Sequence, residues 1–225
     1  MGVHYEGVTD PKTLREVFHT SSPPHAGKVD LWPGSFGLMI RRPIQHLPQP
    51  GFANEREAVV GLFGLVPSWA ADQTISRNTY LARAETAATK PGFRDAWKSA
   101  QHCIIPAQAI YEPDWRSSRE TFARIERIDA KPMGLAGLWS SWKSPKGVWV
   151  HSYAILTINA DAHPFMNQFH KAADEKRMLV ILPDEEHDEW LSASADKSHE
   201  FLVPFPAETM REVDEHHETQ VRSRA

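Results

Sequence analysis

A second cysteine is missing: Cys103 stands alone in a chain of 225 residues. One thiol excludes an internal disulfide and any multi-cysteine metal site, and it fits a reducing compartment. No apolar run approaches the roughly 18 residues needed to span a bilayer. The first residues also lack the basic-then-apolar pattern of a secretory signal, so the expectation is a soluble, cytoplasmic protein with no membrane partner. Met1-Gly2 opens like a myristoylation signal, but Glu6 occupies the position where Ser or Thr is wanted. A basic excess is missing too. The 25 Lys and Arg against 29 Asp and Glu give a net charge of −4 and a pI of about 6.3, unlike a dedicated duplex binder. No histidine pair shows ligand spacing backed by carboxylates, and His216-His217 lies in the polar tail. No metal and no cofactor are expected.

What is present suffices for one substantial core, at 41% hydrophobic residues. Asp10-Pro11 followed by Leu14, Val17 and Phe18 predicts a short helix with Asp10 as N-cap and Pro11 at its first position. Residues 21–51 are rich in Pro and Gly and read as loop around one strand, 36–40. Strand-like runs recur at 59–66, 103–111, 121–128, 133–139, 148–158 and 178–182, and helices are expected at 92–100, 163–169 and 184–191. With no internal repeat, the economical fold is one α+β domain, residues 1–205, built on antiparallel sheet or barrel with peripheral helices. Residues 206–225 form a polar tail expected to be helical or frayed.

Charges stand beside the apolar runs at two places. Arg83 and Glu85 have the i, i+2 spacing that puts both side chains on one face of an extended chain, and Glu112 directly follows the apolar run 103–111. A structural ion pair and a reactive centre are both open readings of such groups. Arg41-Arg42, Arg77, Arg83, Arg94, Lys98, Lys171, Lys176 and Arg177 gather in the body of the chain, whereas acids crowd 184–189 and 208–218. That distribution suits either a local basic groove on an acidic protein or ordinary solvated faces.

The run Ala82-Arg83-Ala84-Glu85-Thr86, then Lys90-Pro91-Gly92-Phe93-Arg94, then Cys103-Ile104-Ile105-Pro106 and Tyr111-Glu112, resembles the SOS-response-associated peptidase-like (SRAP) family. Gly64-Leu65-Val66-Pro67-Ser68-Trp69 upstream is similar to that family's Gly-Leu-Ile-Pro-Ser-Trp element. Downstream come Gly134-Leu135-Ala136-Gly137-Leu138-Trp139, Thr157-Ile158-Asn159-Ala160-Asp161 and Arg177-Met178-Leu179-Val180-Ile181-Leu182-Pro183. Each piece alone is weak, but together they run in family order over roughly residues 60–191.

The resemblance implies recognition of abasic sites in single-stranded DNA, by a cytoplasmic protein, monomeric and nucleoid-associated when acting. In the family the initiator Met is removed, the amine of the following cysteine condenses with the ring-opened sugar aldehyde, and its thiol closes a thiazolidine. Here Gly2 stands in that place, so the amine could form a Schiff base but no thiazolidine, and hydrolysis or β-elimination would follow. Leu81 replaces the family's usual Asn before Ala-Arg, and Leu cannot hydrogen-bond; Asn78 is the nearest substitute. Glu112 resembles the family's catalytic Glu, a proton shuttle. His170 is assigned the family's proton-donor role, with His163 as the fallback. Strand binding would fall to Arg83, Arg177 and Arg41 on phosphates, Trp69 on a base and Thr157 on a phosphate. Two rival classes remain: a thiol peptidase using Cys103 with His102 or His170, and a single-strand binder that shields the lesion without bonding to it.

Overall fold

The computed structural model describes residues 4–44, 55–116, 121–171 and 173–213. The elements run β1 (His4–Gly7), α1 (Pro11–Phe18), β2 (Asp30–Leu31), β3 (Phe36–Arg41), β4 (Glu57–Phe63), β5 (Leu81–Arg83), α2 (Ala84–Ala87), α3 (Arg94–Lys98), β6 (His102–Asp114), β7 (Thr121–Arg127), β8 (Met133–Lys143), β9 (Trp149–Asn159), β10 (Arg177–Leu179), β11 (Ile181–Leu182), α4 (His187–Ser192) and β12 (Met210–Val213). The class is α+β. Strands β6, β8, β9, β4 and β3 pair in a ring that closes back on β6, a five-stranded barrel from which the other strands extend. Most pairings are antiparallel, as expected. The pairings of β4 and of β5 with β9 are parallel, so the sheet is mixed.

Thirteen-residue β6 is the hub of the molecule. Its first half pairs with β8 inside the barrel, and its second half leaves the ring to pair with β1 and β7. Cys103, Ile104, Ile105, Leu135, Leu138, Ile155 and Leu156 fill the interior and are essentially inaccessible to water. Each such large side chain contributes about 1.5–3 kcal/mol by burial. Helix α1 begins as its sequence dictates: the Asp10 carboxylate accepts from the Thr13 N–H at 2.7 Å, and Leu14 and Phe18 plug into the core.

Several expectations change at element ends. The run 59–66 stops at Phe63, because Gly64 turns at φ +127° under the Ser76 carbonyl, where a Cβ would lie 2.2 Å from that oxygen. The expected helix 163–169 reduces to a 3-10 turn, Met166–Gln168. The run 178–182 splits at Val180, whose N–H reaches Leu156 and whose carbonyl accepts from Ala136, so β10 pairs with β9 and β11 with β8. Beyond Pro206, where a helical or frayed tail was expected, a short 3-10 turn leads into strand β12, which pairs with β7 from Met210 to Val213. No described helix is long and apolar enough to cross a membrane.

Candidate functional site

Glu112 lies past the point where β6 leaves the barrel, opposite Ala123 of β7, and is 1% exposed. Strand alternation puts it on the face opposite Tyr111 and Pro113. His170 meets it there, with Nε2 3.1 Å from Glu112 Oε2, although the approach falls short of an aligned hydrogen bond. Two hydrogen bonds and a left-handed backbone pin the histidine. Its N–H donates to the Pro113 carbonyl at 3.0 Å, its own carbonyl accepts from Lys176 Nζ at 3.1 Å, and its φ is +69°, with the ring buried. A left-handed non-glycine residue costs about 1–3 kcal/mol and persists only where its surroundings enforce it. Lys176 Nζ also reaches the Lys171 carbonyl at 2.6 Å, closing the loop that separates His170 from Arg177.

His163 has different surroundings. Its Nδ1 accepts from the N–H groups of Met166 and Phe165 at 2.9 and 3.2 Å, and its Nε2 donates to the Phe205 carbonyl at 2.8 Å. Both ring nitrogens are occupied, and the ring serves as the cap of the 3-10 turn.

Arg83 and Glu85 do not share one extended face, because the chain turns from β5 into α2 between them. They meet instead in an ion network. Buried Arg177 sets both guanidinium nitrogens on the Glu85 carboxylate at 2.8 and 2.9 Å, adds Glu175 at 2.9 Å, and reaches the Thr157 carbonyl at 2.8 Å and hydroxyl at 3.1 Å. Half-exposed Arg83 holds the other Glu175 oxygen at 2.7 Å. The hydrogen bonds from Arg177 hold the Glu85 and Glu175 carboxyls below the usual range. Burial works against the Arg177 charge, but those carboxylates outweigh it and the guanidinium rises. Thr157, Arg83 and Arg177 therefore stand together, and the Arg83 guanidinium is the accessible cation among them.

The remaining candidates are dispersed. Arg41 is buried, with Nε on Glu57 at 2.7 Å and its guanidinium 4.1 Å above the Trp139 ring. Trp69, on the turn closed by Ala70 N–H to the Pro67 carbonyl, is half exposed. Leu81 is half-buried and pairs with Ile155 on β9. Cys103 is wholly buried, which pushes its thiol pKa up, and neighbouring His102 is engaged with Ser198 Oγ at 2.8 Å and the Trp190 ring. Gly2 lies outside the described residues; β1 begins at His4 opposite Tyr111, the neighbour of Glu112. Among the described residues no group of three His, Cys, Asp or Glu could hold a metal ion. Arg116 escaped the sequence reading, where only its closeness to Glu112 could have drawn attention to it, and Lys176 figured there only as one of the basic residues of the body, not as a partner of His170.

A family model described as SOS response associated peptidase (SRAP) matches residues 1–219. The abasic site processing protein YoaM of Bacillus subtilis is 34% identical over 154 residues, a match covering 66% of this chain and 63% of that protein, less than two thirds of its length. The mouse abasic site processing protein HMCES is 24% identical over 178 residues, covering 65% of this chain and 48% of its own. A solved structure of a Bordetella bronchiseptica protein superposes with a TM-score of 0.85 at 42% identity, over 94% of this chain and 99% of that one.

Proposed function

Because the chain belongs to the SOS response associated peptidase (SRAP) family, we propose that it processes abasic sites in single-stranded DNA through its N-terminal amine. The observation that carries this reading is the buried Glu112–His170 pair, 3.1 Å apart, beside the strand that starts at His4. Relatives named as abasic site processing proteins support it.

Once Met1 is removed, the Gly2 amine, with an ordinary pKa of about 7.7–8.0, is partly neutral and nucleophilic near pH 7. It attacks the sugar aldehyde; the new C–N bond forms as the carbonyl oxygen takes a proton from His170. Glu112 accepts the proton that leaves the nitrogen. The resulting carbinolamine then loses water, protonated by the same pair, to give an imine. With Gly2 in place of the family's terminal cysteine, no thiol closes a ring; water hydrolyses the imine, either directly or after β-elimination has expelled the 3′ phosphate and cut the strand. Arg83 carries the phosphate beside the lesion, while Arg177 and Thr157 hold its surroundings in place. A thiol peptidase on Cys103 is the weaker reading, since burial raises the thiol pKa where a nucleophile needs it lowered.

Incubation with an abasic oligonucleotide, with and without borohydride, tests the proposal. A borohydride-dependent adduct is expected from the wild type, and a borohydride-independent one from Gly2→Cys. Wild type that binds the strand but yields no trapped adduct would reduce the protein to a shield, the alternative that the missing terminal thiol and Leu81 keep open.

A further inference from the structure

On the outer face of the sheet, opposite Glu112, three rings form a column. His4 lies between Trp32 and Tyr111, with centroids 4.3 and 4.2 Å apart and planes within 11° and 12° of parallel. Phe122 stands edge-on to Trp32 at 6.3 Å. His4 and Tyr111 are partly covered, whereas Trp32 remains 40% exposed and Phe122 49%. The column is fixed from below: Asp30 bonds the His4 Nε2, and its partner strand residue Glu6 is held by Arg124 at 3.0 Å.

We propose that Trp32 stacks the nucleobase adjoining the abasic nucleotide, with Phe122 as the wall beside it. The inference rests on the abasic-site reading and names a recognition element for it. Reach is the first argument. Residue 2 cannot lie more than about 7 Å in Cα distance from His4, since an extended chain covers at most about 3.6 Å per residue. Nucleotides advance about 3.4 Å each when stacked and further when splayed. A sugar bonded to the N-terminal amine therefore brings a neighbouring base within range of the Trp32 column. Chemistry is the second argument. Asp30 presents an exposed carboxylate on this face and Arg124, the cation beside it, is spent on Glu6 and Glu126, which disfavours a phosphate, whereas an unstacked base offers a neutral π face to an exposed indole. An opened lesion also leaves the adjoining base without a stacking neighbour on one side.

Two strands carrying the stable tetrahydrofuran analogue of the lesion test this, one with a normal base next to it and one with a second analogue there. The wild type is expected to prefer the strand with the base about tenfold or more. Trp32→Phe, which keeps a ring, should retain most of that preference, and Trp32→Leu, apolar without a stacking face, should lose it. Because the quantity read is a ratio on one protein, a general loss of folding cancels. An unchanged ratio in Trp32→Leu, or no preference in the wild type, overturns the proposal. Failure of the abasic-site reading shows differently: no trapped adduct on a natural abasic strand, while the Trp32-dependent ratio persists.

Discussion

Two histidines separate by their partners rather than by their neighbours in sequence. His170 faces a buried carboxylate, whereas every nitrogen of His163 is committed to backbone. His170→Asn, which tolerates the positive φ, is expected to leave the fold intact and slow trapped-adduct formation about 10²–10⁴-fold. His163→Ala should leave the rate per folded molecule unchanged and cost about 2 kcal/mol of stability, measured by urea unfolding, because it orphans buried backbone groups. Two further histidines link stability to pH. Burial lowers His102 and His187 from 6.5 to about 4. Each is neutral in the fold and takes up a proton more readily when unfolded, so its contribution is complete above pH 6.5 and is lost as pH falls towards 4. The decline amounts to about 3 kcal/mol per residue, at 1.36 kcal/mol per pH unit. Melting temperature should therefore drop between pH 6.5 and 5, above the range where carboxylates titrate, while the two ring signals in NMR stay in their neutral form.

Elements with long apolar alternation could be read from sequence, and those held by charges could not. Strands β6, β7, β8 and β9 appear within a few residues of their expected bounds because core burial drives them. β12 reads as polar tail. Its Met210 enters the core, while Arg211 pairs with Glu126 across the ladder and Glu212 with Arg116, contacts that no local pattern encodes. β1 is only four residues long and β5 three, too short for periodicity to show. Arg116 ties several of these pieces together: its guanidinium holds Asp114 at the end of β6, Gln168 before His170 and Glu212 of β12, and lies 5.0 Å over Phe169. Arg116→Ala should raise amide hydrogen exchange in 166–170 and 210–213 together. Faster exchange in only one segment would show that Arg116 does not couple them.

At the scale of the whole molecule, the closed barrel is scaffold and the proposed chemistry falls where β6 leaves it. A family motif marks Glu112 in the sequence and His170 is assigned beside it with His163 as the fallback, but the 3.1 Å approach of Glu112 and His170 depends on the Pro113 contact and the Lys176 contacts, both of them tertiary. Arg177, named in the sequence for a phosphate, stands at the centre of a buried ion network that no local pattern encodes. The proposed reaction depends on the amine of Gly2. The most direct test is mass spectrometry of the peptides released from the borohydride-reduced complex with an abasic oligonucleotide. The sugar remnant is expected on the amine of the peptide beginning at Gly2. A remnant on a lysine or on Cys103, with the Gly2 amine unmodified, would contradict the proposed reaction.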